Sequence, residues 1–263
     1  MKRLLLSIYL ACLSLFVLPF ASAAELTLGP GDIVKISVYN NPDLGLETRI
    51  GDSGNITFPL IGQVQVGGLT VPSAERKISE ALDKGGFIKR AQVNIIVTSI
   101  LSQQVSVLGQ VNRPGRYPLD ARRSLLDVLA LAGGFGPEAG DTLNLIRNRD
   151  GQVSKQVIDV VEMVRKGDLN KDVELAANDV IYVERSPRFY VYGEVQRPGS
   201  FRLERSMTVL QALAVGGGLT PRGTERGMII KRRDANGNLQ MIEAKKDELL
   251  QNDDILYIKE SWF

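Results

Sequence analysis

Side chains that do acid–base or nucleophilic chemistry at neutral pH are scarce in this chain. It has no histidine and a single cysteine, Cys12. Without histidine, Ser-His-Asp and Cys-His catalysis and the commonest metal ligand are unavailable. One thiol does not build a zinc site. Carboxylates are plentiful, 30 in all, but a glycosidase needs two of them facing each other across a sugar, and no spacing here selects such a pair. Asp32, Asp179 and Asp254 stand where strands begin, a place where Asp usually hydrogen-bonds a turn. Two glycine-rich stretches, Gly133-Gly134-Phe135-Gly136 and Gly216–Gly218, could cradle phosphate only between a strand and a helix N-terminus. Each instead follows a helical segment, and no Gly-Lys-Ser/Thr occurs. They read as helix stops. The expectation is a protein that is no enzyme, with no cofactor and no metal.

The elements that position these residues come as a repeat. Residues 109–150 and 193–234 lie 84 positions apart and align without a gap, with 15 of 42 positions identical. The shared residues include Gly109/Gly193, Arg113/Arg197, Pro114/Pro198, Gly115/Gly199, Gly133/Gly217, Gly134/Gly218 and Pro137/Pro221. A solenoid repeat spans about 20–50 residues, so this is a small domain used twice. Each copy predicts a strand (Gln104–Val111, Phe189–Val195) and an Arg-Pro-Gly turn suited to type II geometry. A second strand follows (Arg116–Leu119, Ser200–Leu203). Capping boxes at Ser124–Asp127 and Thr208–Gln211 open short helices, Leu125–Ala132 and Val209–Val215. Strands at Thr142–Arg149 and Gly227–Lys231 then lead to a closing strand after Asn178-Asp179 and Asn252-Asp253-Asp254.

The region before the repeat differs. Gly31-Asp32 opens the strand Ile33–Tyr39, and a turn follows at Asn40-Asn41-Pro42-Asp43. Strands are expected near Thr48–Ile50 and Ile56–Pro59. Thr70 and Pro72 open a helix to about Lys84, stopped by Gly85-Gly86, and Gln92–Thr98 is a strand. The fold class is therefore α+β: three small sheet-plus-helix units in tandem, the last two repeats of one another. The boundaries are 24–100, 101–186 and 187–263.

Residues 1–23 read as a secretory signal. Lys2 and Arg3 precede an apolar run from Leu4 to Phe20, and Ala21-Ser22-Ala23 gives the cleavage pattern. Cys12 falls inside that run, after Tyr9-Leu10-Ala11; cleavage there would leave Leu13–Phe20 as an apolar tail, so Cys12 reads as a core residue of the signal rather than a lipidation site. The chain after residue 23 would have 30 basic and 30 acidic residues. A neutral chain does not argue for nucleic acid, and the clusters Arg122-Arg123 and Lys231-Arg232-Arg233 read as solvated turns or strand ends. Aromatics are few. Tyr117 and Phe201 hold equivalent repeat positions and read as half-buried strand residues rather than sugar-stacking rings. Trp262-Phe263 is similar to the terminal aromatic of outer-membrane barrels, whose many strands of about 10 residues the short strands here do not match.

Longer runs carry a resemblance. They are Leu28-Gly29-Pro30-Gly31-Asp32-Ile33-Val34-Lys35-Ile36-Ser37-Val38, Pro42-Asp43-Leu44, Gly51-Asp52-Ser53-Gly54-Asn55-Ile56-Thr57-Phe58-Pro59-Leu60-Ile61-Gly62 and Val64-Gln65-Val66-Gly67-Gly68-Leu69-Thr70. They resemble the N-terminal domain of the Wza-like outer-membrane polysaccharide export proteins. The Gly-x-Val-x-Arg-Pro-Gly repeats resemble the soluble-ligand-binding β-grasp (SLBB) domains that follow it in that family. The resemblance implies a homo-oligomeric ring that conducts a polysaccharide through the periplasm to the outer membrane, beside an inner-membrane chain-length-determinant copolymerase. Family members of the Wza type cross the outer membrane with a C-terminal helix. Only Lys259–Phe263 follow Ile258 here, too few to span, so a separate outer-membrane β-barrel is expected to complete the path. A periplasmic glycan-binding scaffold without transport and a carbohydrate-active enzyme are the competing readings.

Overall fold

The computed structural model describes residues 27–149 and 151–261. The expected signal segment with Cys12, and the Trp262-Phe263 pair, lie outside the described residues. The chain forms two compact units. One runs through Gln103 and includes Pro118–Arg122; the other comprises Gln104–Tyr117 and the chain from Arg123 onward.

In the first unit, β1 (Ile33–Val38) lies between β2 (Leu46–Arg49) and β5 (Val93–Ser99) in an antiparallel sheet. Its alternation sends Val34, Ile36 and Val38 into the core, the period-two signature of a half-buried strand. Helix α1 (Val71–Lys84) covers this sheet with Ala74, Ile78 and Leu82, spaced by four and so on one face. Pro72 sits in its first turn, where a missing N–H costs nothing. Gly86, at φ 72°, takes the left-handed turn that ends it. A separate hairpin, β3 (Asn55–Phe58) and β4 (Gly62–Gln65), adds Ile56, Phe58 and Val64 to the same core. At its tip the Pro59 carbonyl accepts from the Ile61 N–H at 2.9 Å around Leu60, which sits at φ 69°. That is a γ-turn of the rare positive-φ form.

The second unit holds two sheets of one plan. The first orders its strands β7-β6-β10-β8-β9: β6 (Gln104–Gly109), β7 (Gly115–Pro118), β8 (Ala139–Arg149), β9 (Gln152–Asp159) and β10 (Val180–Arg185). The second orders them β12-β11-β15-β13-β14: β11 (Arg188–Gly193), β12 (Gly199–Arg202), β13 (Ile229–Arg233), β14 (Leu239–Glu243) and β15 (Ile255–Ile258). In each, the central pair β6/β10 or β11/β15 is parallel. The helices α2 (Leu125–Leu131) and α4 (Val209–Val215) carry complete capping boxes, Ser124 with Asp127 and Thr208 with Gln211. They bury Leu125, Val128 and Leu129, and Val209, Ala212 and Leu213.

Three features depart from the sequence reading. The strands β4, β9 and β14 and the helix α3 (Val160–Lys166) were not foreseen. Helix α3 exists only in the first copy; Asp159 ends β9 and caps α3 by accepting from the Glu162 N–H. The Arg-Pro-Gly turns are not type II: Gly115 and Gly199 lie at φ 159°, far from the roughly +80° of that geometry. Finally, the gapless repeat slips. Tyr182 pairs with Asn144 in the first sheet, and its counterpart Tyr257 pairs with Ile229 in the second. The third strands are therefore offset by 85 residues, not 84. A slip of one residue exchanges the faces of a strand, so the identities Ile146/Ile230 and Arg149/Arg233 are not structural equivalents.

Candidate functional site

The repeated signature wraps the C-terminus of each helix. Gly109 (φ 86°) and Gly193 (φ 93°) sit where the parallel central strands come closest. A β-carbon there would lie 2.1 Å from the Val183 carbonyl oxygen in one copy and 2.1 Å from that of Ile258 in the other. Two residues past each glycine, Val111 bridges Phe135 and Val195 bridges Leu219. The Arg113 backbone N–H donates to the Ala132 carbonyl at 2.9 Å and its guanidinium to that of Leu131 at 2.8 Å. Arg197 repeats this on Gly216 and Val215, at 2.8 and 2.7 Å. A cation on the last helical carbonyls satisfies orphan acceptors and complements the helix dipole. The side-chain amides of Asn112 and Gln196 hold the carbonyls of Gly133 and Leu219.

The Gly-Gly pairs close the helices in a Schellman pattern. Gly133 and Gly134 donate to Ala130 and Leu129, and Gly217 and Gly218 donate to Ala214 and Leu213. These four N–H groups point into the helix ends and present no cradle to an anion. Pro114 and Pro198 lock φ in the turn between the capping arginine and the extended glycine. The two equivalent aromatics serve different partners. The Tyr117 hydroxyl donates to the Arg113 carbonyl at 2.5 Å, whereas Phe201 packs on Phe189 with centroids 5.8 Å apart.

The three aspartates at strand starts share one geometry. Each follows a residue in the left-handed region, Gly31, Asn178 or Asp253 at φ 92°, 66° and 63°. Each is buried and accepts from the backbone N–H three residues earlier, Gly29, Ala176 or Gln251, at 2.9, 2.9 and 2.7 Å. Asp32 also accepts from the N–H groups of Leu101 and Ser102 and the Ser102 hydroxyl, all at 2.8 Å. Asp179 pairs with Arg147 and Arg149, at 3.1 and 2.7 Å. Asp254 takes both arms of Arg232, at 2.9 and 2.7 Å. Arg147 and Arg232 are equivalent only at the 85-residue offset. Partners saturate all three carboxylates, so none is poised as a general acid or base. Among the described residues no group of three or more metal-ligating side chains converges.

The two sheets of the second unit meet across an open cleft of about 880 Å³ lined by Asp141, Asp159, Arg165, Arg185, Arg202 and Arg205. Arg205 reaches Asp141 at 2.5 Å and Asp159 at 2.7 Å. Arg202 adds a bond to Asp141 at 3.2 Å, and Arg185 and Arg188 both hold Glu138 at 2.9 Å. The Arg205 guanidinium holds the Asp159 carboxyl below its ordinary value, and Arg185 does so for Glu138. Arg205 is in turn raised by Asp159 and Asp141. The cleft is wide, and its four arginines are matched in number by Asp141, Asp159, Glu184 and Glu204. Sequence reasoning missed it because none of its pairs falls within a motif.

The basic run at 231–233 is split by strand alternation. Arg232 faces inward to Asp254, whereas Lys231 contacts the rings of Tyr192 and Tyr257 on the opposite face. No helix of the described residues is long and apolar enough to cross a membrane.

Comparison with known proteins matches residues 21–98 to the polysaccharide biosynthesis/export protein family and residues 103–183 and 188–243 to the SLBB domain. The chain is similar to the EPS I polysaccharide export outer membrane protein EpsA of Ralstonia solanacearum. Identity is 28%, over 86% of this chain and 67% of the relative. It is also similar to the polysialic acid transport protein KpsD of Escherichia coli, at 24% identity over 88% of this chain and 41% of the relative. It thus spans about two thirds of the first relative and about two fifths of the second.

Proposed function

Because the chain belongs to the polysaccharide biosynthesis/export family, with two SLBB domains behind its export domain, we propose that it is a periplasmic component of a polysaccharide export conduit. In this reading several copies form a ring and the polymer passes along its axis. An inner-membrane chain-length copolymerase delivers the chain, and a separate outer-membrane β-barrel completes the path. The protein is exported by residues 1–23 and works in the periplasm at the outer membrane. It carries no catalytic step.

One observation carries this reading: an export domain at 21–98 is followed by two SLBB domains at 103–183 and 188–243, and 86% of the chain aligns with the polysaccharide export protein EpsA. The physics agrees. A conduit must not hold a hydrophilic polymer tightly anywhere, and rotational symmetry multiplies many weak contacts. The saturated carboxylates and the charge-balanced cleft fit a surface that positions and slides rather than reacts. The signature residues Gly31, Asp32, Pro59, Gly109, Arg113, Pro114, Gly115, Gly133 and Gly134 serve architecture in this reading. So do their second-copy partners Gly193, Arg197, Pro198, Gly199, Gly217 and Gly218.

A deletion strain tests the proposal by comparing polysaccharide in the medium with polymer retained in the envelope. Secretion is expected to be lost, restored by the full-length gene, and not restored by a gene lacking residues 1–23. Unchanged secretion, in a strain with no second exporter, would overturn export. A purely monomeric purified chain by native mass spectrometry would overturn the ring. Sugar-permeable pores formed by the chain alone in liposomes would remove the need for a separate barrel.

A further inference from the structure

The outer face of the second SLBB sheet, opposite helix α4, bears a cluster that the first copy lacks. Tyr192 on β11 and Tyr257 on β15 are cross-strand partners whose rings stack at 4.8 Å and 30°. Lys231 on β13 places its ammonium 5.0 Å from one ring centroid and 5.6 Å from the other, and donates to the Tyr192 hydroxyl. Tyr190, two residues before Tyr192 and on the same face, is 42% exposed. Among the described residues no carboxylate pairs with Lys231. The rings orient its ammonium without neutralising it.

The first copy is an internal control. Strand pairing sets Ser106, Leu108, Tyr182 and Ile146 in the places of Tyr190, Tyr192, Tyr257 and Lys231. The same sheet order forms there without the cluster, so the fold does not require it. The lysine nearest that face in the first copy, Lys155, has an acid at hand: Glu184 lies 3.8 Å away. The second copy keeps the tyrosine of position 182 as Tyr257, replaces Ser106 and Leu108 by Tyr190 and Tyr192, and replaces Ile146 by Lys231, for which the described residues supply no carboxylate partner.

We propose that this face is a subsite for an acidic sugar residue of the exported polymer. The apolar C–H face of a pyranose ring lies on the tyrosine rings, and its carboxylate pairs with Lys231. The inference rests on the export reading and adds to it the class of sugar that this face contacts. An exposed single-site contact of this kind is weak, in the millimolar range, as sliding requires.

The test is calorimetric titration of the chain from residue 24 onward with hexagalacturonate and with maltohexaose, its neutral α-1,4 counterpart. Hexagalacturonate is expected to bind about tenfold tighter, the scale of one charge-assisted hydrogen bond, with the preference shrinking as salt is raised. Lys231→Ile, which installs the first copy's residue, abolishes the preference. Tyr192→Leu, likewise borrowed from Leu108, weakens both ligands. Tyr182→Leu in the first copy changes neither. Equal binding of both oligosaccharides, no binding of hexagalacturonate, or an unchanged preference in Lys231→Ile overturns the subsite. If Lys231→Ile changes the oligomeric mass instead, the face is a subunit contact and the proposal fails. None of these outcomes touches the secretion assay, so the export reading stands or falls separately.

Discussion

At the scale of the residue, two glycines of one motif are predicted to behave differently. Gly193 combines φ 93° with a carbonyl oxygen 2.1 Å from where a β-carbon would stand. Gly218 has a similar φ of 81° but open space around it. Gly193→Ala should destabilise the second SLBB domain by about 3 kcal/mol or more, since strand separation adds to backbone strain. Gly218→Ala should cost only about 1 kcal/mol, the strain alone. Urea unfolding measures both, and equal costs would refute the close-approach account. Asp254→Ala leaves Arg232 largely buried and uncompensated, with 18% of its side chain exposed. It should cost about 3–5 kcal/mol, with Asp254→Asn milder because it still accepts from the Gln251 N–H; a loss under about 1 kcal/mol would mean that water replaces the pair. The sequence shows these aspartates at strand starts. It does not show that Arg147, Arg149 and Arg232 meet them, because those arginines sit 22 to 32 positions away on a neighbouring strand.

At the scale of the element, helices α1, α2 and α4 are legible because caps, apolar spacing and glycine stops agree. Helix α3 was not. Val160-Val161-Glu162-Met163-Val164-Arg165-Lys166 is rich in β-branched residues and follows β9 without a turn, so local propensity argues for more strand. Docking of Val160 and Met163 decides for helix. The edge strands β9 and β14 were missed because their side chains are mostly exposed and show little alternation. The one-residue slip before β13 could not be seen in an ungapped alignment, where chance identities at the strand outscored the true register.

At the scale of the whole molecule, the ion pairs around Arg205 join the two SLBB sheets. Asp159, Glu138 and Glu162 are all held below their ordinary values, by Arg205, Arg185 and Lys166 respectively. A depressed carboxyl stabilises the fold above its unfolded pKa and loses that contribution as pH falls through its folded pKa. The link between the sheets is therefore intact at neutral pH and weakens as pH drops below about 4. Arg205→Ala should lower the unfolding midpoint by about 2–4 °C at pH 7, as a partly exposed network allows, and the gap should narrow as pH falls below the ordinary carboxylate range. A pH-independent gap, read by calorimetric scans, would assign Arg205 to packing instead. By itself the sequence determined the α+β class, the order of an export domain and two repeated domains, and the helix caps, since these rest on residues close in the chain. Only the tertiary structure decided the strand register, the arginine caps and buried Arg–Asp pairs, the cleft, and the tyrosine–lysine face. Each joins groups far apart in sequence, and long-range pairing is set by which faces bury together rather than by local preference.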